Sequence, residues 1–171
     1  MNVLKHEKKL AVLSALVEGN SVQSTVRMAG VHKTTILRLI EDVGGSCGKI
    51  MDERMRGLRC AEIEADELWF YVGKKQRRLT DAEKAAGELG DAYPFIAFDP
   101  HTKLIPEFRV GKRDWGTTDA FIRDLRGRVT ARIQLSTDAF NIYPDAVERA
   151  FGADVDYGQI VKNYAPEGVS T

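Results

Sequence analysis

The spacing of apolar residues predicts helices in the first third of the chain. Between residues 3 and 18, most apolar side chains lie three or four positions apart, and the pattern stops at Gly19, which is typical of a helix that ends at a glycine. A short helix, a turn at Gly30 and another helix are predicted over residues 21 to 40. Glycine allows the tight turn between two such helices, so this segment has the pattern of a helix-turn-helix.

The rest of the chain mixes strand and helix patterns. Residues 99 to 102 form a turn between two apolar runs, which favours an antiparallel hairpin. The predicted elements are a strand at 62–72, a short helix at 81–89, hairpin strands at 93–98 and 103–110, a helix at 117–129 capped by Thr117 or Thr118, a strand at 132–138, a helix at 139–151 and a strand at 155–161. This order predicts an α+β fold with a mixed sheet.

Glycines mark the predicted boundary between the two parts. Gly44 and Gly45 follow the third helical pattern, and glycine weakens a helix interior, so we expect the third helix to stop there. The sequence therefore predicts a helical DNA-binding domain at residues 1–43, a linker at 44–60 and a second domain at 61–171.

Charge is balanced overall but unevenly distributed. The 171 residues include 25 basic and 25 acidic side chains, which excludes a uniformly basic coat for nucleic acid. Residues 1–60 carry ten basic and six acidic side chains, whereas residues 61–171 carry fifteen and nineteen. A basic front part suits DNA contact, and an acidic rear part suits a site built from carboxylates.

Cysteine spacing and hydropathy predict a reduced protein inside the cell. Cys47 and Cys60 match no zinc-ligand spacing, and we expect both to be free thiols. No apolar run reaches the roughly 18 residues of a membrane span, and the first residues lack a signal-peptide pattern. We therefore expect a cytoplasmic protein with no membrane partner.

Polar side chains near the start of the third predicted helix are suited to DNA. Short or cationic groups at a helix N-terminus fit base edges and phosphates in a major groove. The predicted DNA-binding residues here are His32, Lys33, Thr34, Thr35 and Arg38. The alternative is a plain helical hairpin that packs on the second domain.

Two aspartates are candidate metal ligands. Asp66 lies within one predicted strand and Asp138 ends another, and the elements between them would allow the two strands to be neighbours. Carboxylates that meet on a sheet repel each other unless a cation neutralises them, and hard oxygen ligands suit magnesium or manganese. The alternative is that both are ordinary solvated carboxylates at strand ends.

Three segments resemble the bacterial insertion-sequence-one family of transposases. They are the Asp-Glu-Leu-Trp-Phe-Tyr-Val-Gly block at 66–73 with the two lysines that follow it, the Val-Gly-Lys-Arg-Asp block at 110–114, and Leu-Ser-Thr-Asp at 135–138. The similarity extends from residue 1 to about residue 164. It implies a helix-turn-helix that binds the terminal repeats of the element, followed by an RNase H-like catalytic domain with an acidic triad of two aspartates and one glutamate.

The resemblance also implies the chemistry and the roles of individual residues. Asp66 matches the first aspartate of the triad and Asp138 the second, so both would be catalytic and would bind magnesium or manganese. The implied reaction is metal-dependent cleavage and strand transfer, with terminal repeats and target DNA as double-stranded partners. Pairing two DNA ends implies a homo-oligomer.

The chain departs from the family pattern at two places. Ala139 stands where the family usually has a glycine, which would strain a left-handed turn. The family's third acid lies on a helix further along, and neither Glu148 nor Glu167 matches it. The resemblance thus implies a catalytic domain without its last helix and without its catalytic glutamate.

Two other interpretations remain open at the level of sequence. One is a catalytically inactive DNA-binding remnant that represses transposition. The other is a transcription regulator whose rear domain senses a small ligand, although no ligand motif supports it.

A basic run follows the first predicted strand. Lys74 and Lys75, with two arginines close behind, could hold DNA phosphates, and the alternative is a solvated charged loop. Trp69 and Tyr71 are expected to fill the core rather than to touch bases.

Overall fold

The computed structural model describes residues 4 to 161. The chain forms two compact units, one up to Arg54 and one from Met55. Within the described residues, no helix is both long enough and apolar enough to cross a membrane.

The first unit contains three helices: α1 (His6–Val17), α2 (Val22–Ala29) and α3 (Lys33–Arg54). Ser21 caps α2, because its side chain accepts a hydrogen bond from the backbone N–H of Ser24 at 3.1 Å. Gly30 ends α2 with φ 61°, in the left-handed region that favours glycine. The helices pack around a small apolar core formed by Val12, Ala29, Val31, Ile36 and Leu39.

Helix α3 does not stop at the glycines. It continues through Gly44 and Gly45 to Arg54, so residues 44 to 54 are helical where the sequence predicted the start of a linker. Each glycine costs a helix only about 1 kcal/mol relative to alanine, and an added Cβ at either position would meet nothing within 4 Å. The low helix propensity of the two glycines is therefore too small a cost to end α3 there.

The second unit is a mixed sheet with helices, which confirms the predicted α+β class. Its elements are β1 (Glu62–Glu67), β2 (Phe70–Val72), a 3₁₀ turn at Gln76–Arg78, α4 (Asp81–Ala86), β3 (Gly90–Phe98), β4 (Glu107–Gly111), α5 (Trp115–Arg128), β5 (Ile133–Asp138), α6 (Tyr143–Phe151) and β6 (Val155–Ile160). The predicted antiparallel hairpin is confirmed, because β3 and β4 pair antiparallel. The second strand begins at Glu107 and not at residue 103, so the connection is longer than the predicted four-residue turn.

The sheet combines parallel and antiparallel pairs. β1 pairs antiparallel with β3 and parallel with β5, and β5 pairs parallel with β6. β2 keeps the register of β1 against β3, since Glu67 lies opposite Phe95 and Phe70 opposite Ala92. β1 and β2 therefore behave as one long strand with a short interruption, close to the single strand predicted at 62–72.

Helices α5 and α6 contribute to the main core against the sheet. Their buried side chains include Phe121, Ile122, Leu125, Tyr143, Val147 and Phe151, and the strands contribute Ile63, Phe95, Ile133 and Leu135. Helix α5 is capped by Asp114, whose Oδ1 accepts a hydrogen bond from the N–H of Thr117 at 2.9 Å. The predicted caps, Thr117 and Thr118, lie inside the first turn instead, and Thr118 is fully buried.

Candidate metal centre

Asp66 and Asp138 lie side by side at the carboxyl ends of two neighbouring strands, β1 and β5. Ala65 is the register partner of Thr137 in the parallel pair of β1 with β5, so the next residue of each strand is one of the two aspartates. Because β1 and β5 are parallel, their carboxyl ends lie together, and both aspartate carboxylates lie there. The structure brings together the two site residues that the sequence predicted.

A third carboxylate, that of Glu67, joins them. One ligand oxygen each from Asp66, Glu67 and Asp138 lies within 4.8 Å of the others. The family pattern placed the third acid after Asp138, so Glu67 was missed, although it stands directly beside Asp66 in the sequence. Adjacent residues of a strand normally point to opposite faces, yet one carboxylate oxygen of Asp66 and one of Glu67 lie within 4.8 Å of each other. Glu148 is exposed on α6, and Glu167 lies outside the described residues.

Glu67 is the most buried member of the cluster, with only 2% of its side chain exposed. Burial raises the pKa of Glu67, the neighbouring Tyr143 hydroxyl opposes part of the rise, and Asp138 adds to it. Burial and the same glutamate raise the pKa of Tyr143. Neither Glu67 Oε1 nor the Tyr143 hydroxyl has a hydrogen-bond partner of good geometry within residues 4 to 161, and both are buried. A buried acceptor oxygen that no hydrogen bond of good geometry satisfies is suited to a cation.

Arg113 is the cation that the structure places in the cluster. Its Nη2 lies 2.9 Å from Asp138 Oδ2 and 3.5 Å from Glu67 Oε2. The guanidinium also lies over the Phe140 ring, 4.0 Å from its centroid. With all three acids ionised, Arg113 leaves the cluster with a net charge of −2. One divalent cation would neutralise it, and an all-oxygen donor set fits magnesium or manganese.

Backbone hydrogen bonds orient the two aspartates. Asp138 Oδ1 accepts from the N–H of Phe140 at 3.0 Å, and Asp66 Oδ1 accepts from the N–H of Glu67 at 2.8 Å. The replacement of glycine by Ala139 causes no strain, since Lys103 is the only non-glycine residue with positive φ in the described part of the chain. The expectation of a strained turn after Asp138 was wrong, because the turn here does not use the left-handed region.

The segment from Gly111 to Asp114 places Arg113. A Cβ on Gly111 would lie 2.6 Å from the Thr117 side chain, so only glycine allows the start of α5 to approach β4 this closely. Lys112 donates to the backbone carbonyls of Leu89 and Asp91 at 3.1 and 2.7 Å. The contacts of Gly111, Lys112 and Asp114 therefore fix the backbone on both sides of Arg113, between the end of β4 and the capped start of α5.

The predicted DNA-contact residues of the first unit share one surface. All of them are exposed near the start of α3, whereas Val31, Ile36 and Leu39 turn into the core. The residues on this surface are His32, Lys33, Thr34, Thr35 and Arg38. A cavity of about 370 Å³ adjoins it, lined in part by Lys5, Lys8 and His32.

The basic run after β2 is divided between two environments. The Lys74 amine forms an ion pair with Glu83, which also closes the capping box of α4. The Lys75 amine lies over the rings of Trp69 and Tyr71, at 5.5 and 5.9 Å from their centroids. Trp69 is 50% exposed and Tyr71 44% exposed, so the expectation that they fill the core was wrong: β2 extends past the part of β1 that pairs with β5.

Comparison of the chain with protein-family models and with curated proteins finds no match.

Proposed function

We propose that the protein is a transposase of a bacterial insertion sequence, which binds DNA through its first unit and cleaves and joins DNA at the carboxylate cluster of its second. The observation that carries the proposal is the convergence of Asp66, Glu67 and Asp138 within 4.8 Å. Because these residues come from adjacent parallel strand ends, the sheet itself positions two of the three ligands. The mixed sheet is compatible with an RNase H-like domain, which we include in the proposal.

The three carboxylates would hold magnesium or manganese. When bound, such a cation polarises the scissile phosphodiester and favours deprotonation of the attacking water or 3′ hydroxyl. Asp66 and Asp138 supply open, oriented oxygens, and Glu67 supplies a buried one. Glu67 would thus take the part of the third acid that the family places on a later helix.

Arg113 would act on the phosphate of the DNA. Its guanidinium contacts the carboxylates of Asp138 and Glu67. With a cation held by those carboxylates, the guanidinium would be free to bind a phosphate group, which it can do with two parallel hydrogen bonds.

The first unit would supply DNA recognition. The exposed start of α3 carries hydroxyl, imidazole and cationic groups on one surface, and the turn at Gly30 lies directly before it. This arrangement is suited to a helix-turn-helix that enters the major groove of a terminal repeat. Joining two ends to a target would require at least two copies of the chain, acting in the cytoplasm where bacterial DNA lies.

The proposal is tested by DNA nicking. We expect the full chain with manganese to nick supercoiled DNA that contains the sequence flanking its own gene. Asp66→Asn and Asp138→Asn should each lower the rate at least about 100-fold, because each removes a ligand charge. Glu148→Gln is the matched control, since this glutamate is exposed on α6 outside the cluster, and it should nick as the wild type does.

The outcome also separates the enzyme from its main rival. Manganese-dependent nicking that depends on Asp66 supports the transposase. DNA binding by every variant with no nicking by any of them supports instead a catalytically inactive DNA-binding protein.

A further inference from the structure

An exposed aromatic and basic surface follows the carboxylate cluster along the chain. We define it by Trp69, Tyr71, Lys75 and Arg77. The two rings lie 5.9 Å apart between centroids, tilted by 41°, and each is about half exposed. Lys75 lies over both rings. Trp69, just before β2, and Tyr71, within β2, are left open to solvent. They forgo the burial that normally stabilises such side chains, which points to a ligand.

A shallow groove runs along this surface. It has a volume of about 460 Å³ and is lined by Trp69, Lys75, Gln76, Arg77, Lys84 and Asp91. Three of the lining side chains are cationic, those of Lys75, Arg77 and Lys84, and one, that of Asp91, is acidic. Within the described residues, no acidic side chain forms an ion pair with Lys75 or Arg77, so their charges remain available to an anionic ligand.

The surface follows the candidate metal centre along the chain. β2 keeps the register of β1 along β3, so Trp69 lies three residues beyond Asp66 on the same line of chain. At about 3.3 Å per residue this separation is about 10 Å, or about three nucleotide steps of a stacked strand.

We propose that this surface binds unpaired bases of single-stranded DNA, which stack on Trp69 and Tyr71 while Lys75 and Arg77 hold the phosphates. Aromatic faces accept any base, and cations follow the backbone. Its short separation from the metal centre along the chain leads us to infer that the ligand is the strand exposed at the cleaved end, a step that rests on the proposed function. Stacking itself needs neither metal nor cleavage.

A second copy of the chain fits the surface less well. A symmetric contact would bring Lys75 and Arg77 of one copy toward the same cations of the other, and like charges at an interface oppose association. Nucleic acid complements both the rings and the charge.

The test uses the fluorescence of Trp69. The chain has two tryptophans, so the Trp115→Phe variant reports on Trp69 alone. We expect an oligothymidylate to quench this fluorescence in EDTA, and a duplex of the same length to quench it much less. Trp69→Ala and Tyr71→Ala, measured by anisotropy of the labelled strand, should each weaken binding about 5- to 100-fold, whereas Trp69→Phe should keep most of it.

Phe108→Ala is the matched control, because Phe108 is an equally exposed aromatic residue on β4; it should bind the strand as the wild type does. Asp66→Asn should also bind the strand at least as tightly as the wild type, so loss of nicking and loss of stacking are distinguishable. Unchanged Trp69 fluorescence, or equal binding by Trp69→Ala, would overturn the proposal. So would a dimer in sedimentation that Trp69→Ala dissociates, since the surface would then bind a second copy.

Discussion

Arg113 and Asp138 form an ion pair of 2.9 Å at the edge where β1 and β5 end. The same guanidinium nitrogen lies 3.5 Å from Glu67, so one arginine offsets part of the repulsion between carboxylates from two strands. The arginine is about one third exposed and remains within reach of solvent and of a ligand. A divalent cation at this edge would therefore compete with Arg113 for the same oxygens.

That competition predicts tighter metal binding when the arginine is removed. We expect Arg113→Gln to raise the affinity for manganese about tenfold, which corresponds to about 1.4 kcal/mol, and to lower nicking. Titration calorimetry measures the affinity. Arg123→Gln is the control, because Arg123 pairs with Asp119 on α5. Weaker manganese binding by Arg113→Gln would show that the arginine positions the carboxylates rather than competing for them.

Glu107 predicts a pH-dependent stability. Its side chain is 4% exposed, and its Oε2 lies 2.9 Å from Arg128 Nε. Burial and a hydrogen bond to Asp124 raise the pKa of Glu107 to about 7. A carboxyl whose folded pKa is above its unfolded value of 4.5 stabilises the fold fully below pH 4.5, and that contribution is lost as pH rises through 7. The loss amounts to up to about 3 kcal/mol.

Glu107→Gln should remove this dependence, because the amide stays neutral and can still donate a hydrogen bond to Asp124. We expect its free energy of unfolding, relative to the wild type, to rise by up to about 3 kcal/mol between about pH 5 and pH 8. Urea unfolding at several pH values measures it. The exposed Glu64→Gln should show no such trend, and parallel curves for Glu107→Gln and the wild type would contradict the assignment.

Gly111 predicts a steric effect close to the site. An added Cβ would lie 2.6 Å from the Thr117 side chain, so Gly111→Ala should destabilise the fold by about 1 to 3 kcal/mol. It should also tighten manganese binding, because Arg113 lies two residues further on and a displaced guanidinium would compete less for the oxygens of Asp138 and Glu67. Gly158→Ala is the control, since its Cβ would meet nothing within 4 Å, and it should change stability by less than about 0.5 kcal/mol. Equal effects of the two changes would contradict the close approach.

Sequence patterns predicted the elements that local interactions or the alternation of apolar residues determine. The turn that begins at Asp99 was predicted correctly, because Asp99 accepts hydrogen bonds from the N–H groups of His101 and Thr102. The connection then continues to residue 106 before β4 begins. Alternation of apolar residues located β1 and β5, so the meeting of Asp66 with Asp138 followed from strand adjacency.

The rest depended on tertiary structure. Gly44 and Gly45 lie in a helix because the cost of glycine there is small. Asp114 caps α5 in preference to a threonine because the cap is decided by where the backbone leaves β4. Glu67 and Arg113 complete the cluster through contacts between residues far apart in sequence, which no spacing rule includes. The exposure of Trp69 depends on how far β2 extends beyond β5.

The exposed start of α3 predicts how salt affects DNA binding. Removing one cation that binds a phosphate should make the slope of log affinity against log salt shallower by about 0.9. We expect Arg38→Gln to do so on duplex DNA and to weaken binding by about 3- to 30-fold at moderate salt, as measured by fluorescence anisotropy. Lys49→Gln is the control, because Lys49 is exposed on the same helix eleven residues further on, or about 16 Å along its axis.

The two variants have the same change in charge, so any difference between their slopes reports position rather than net charge. A shallower slope for Arg38→Gln alone supports docking through the start of α3. Equal slopes for both variants would mean that cations along the whole of α3 attract DNA without a defined docking position. The helix-turn-helix interpretation would then be wrong. Because the first unit carries none of the three clustered carboxylates, this result stands whether or not the second unit cleaves DNA.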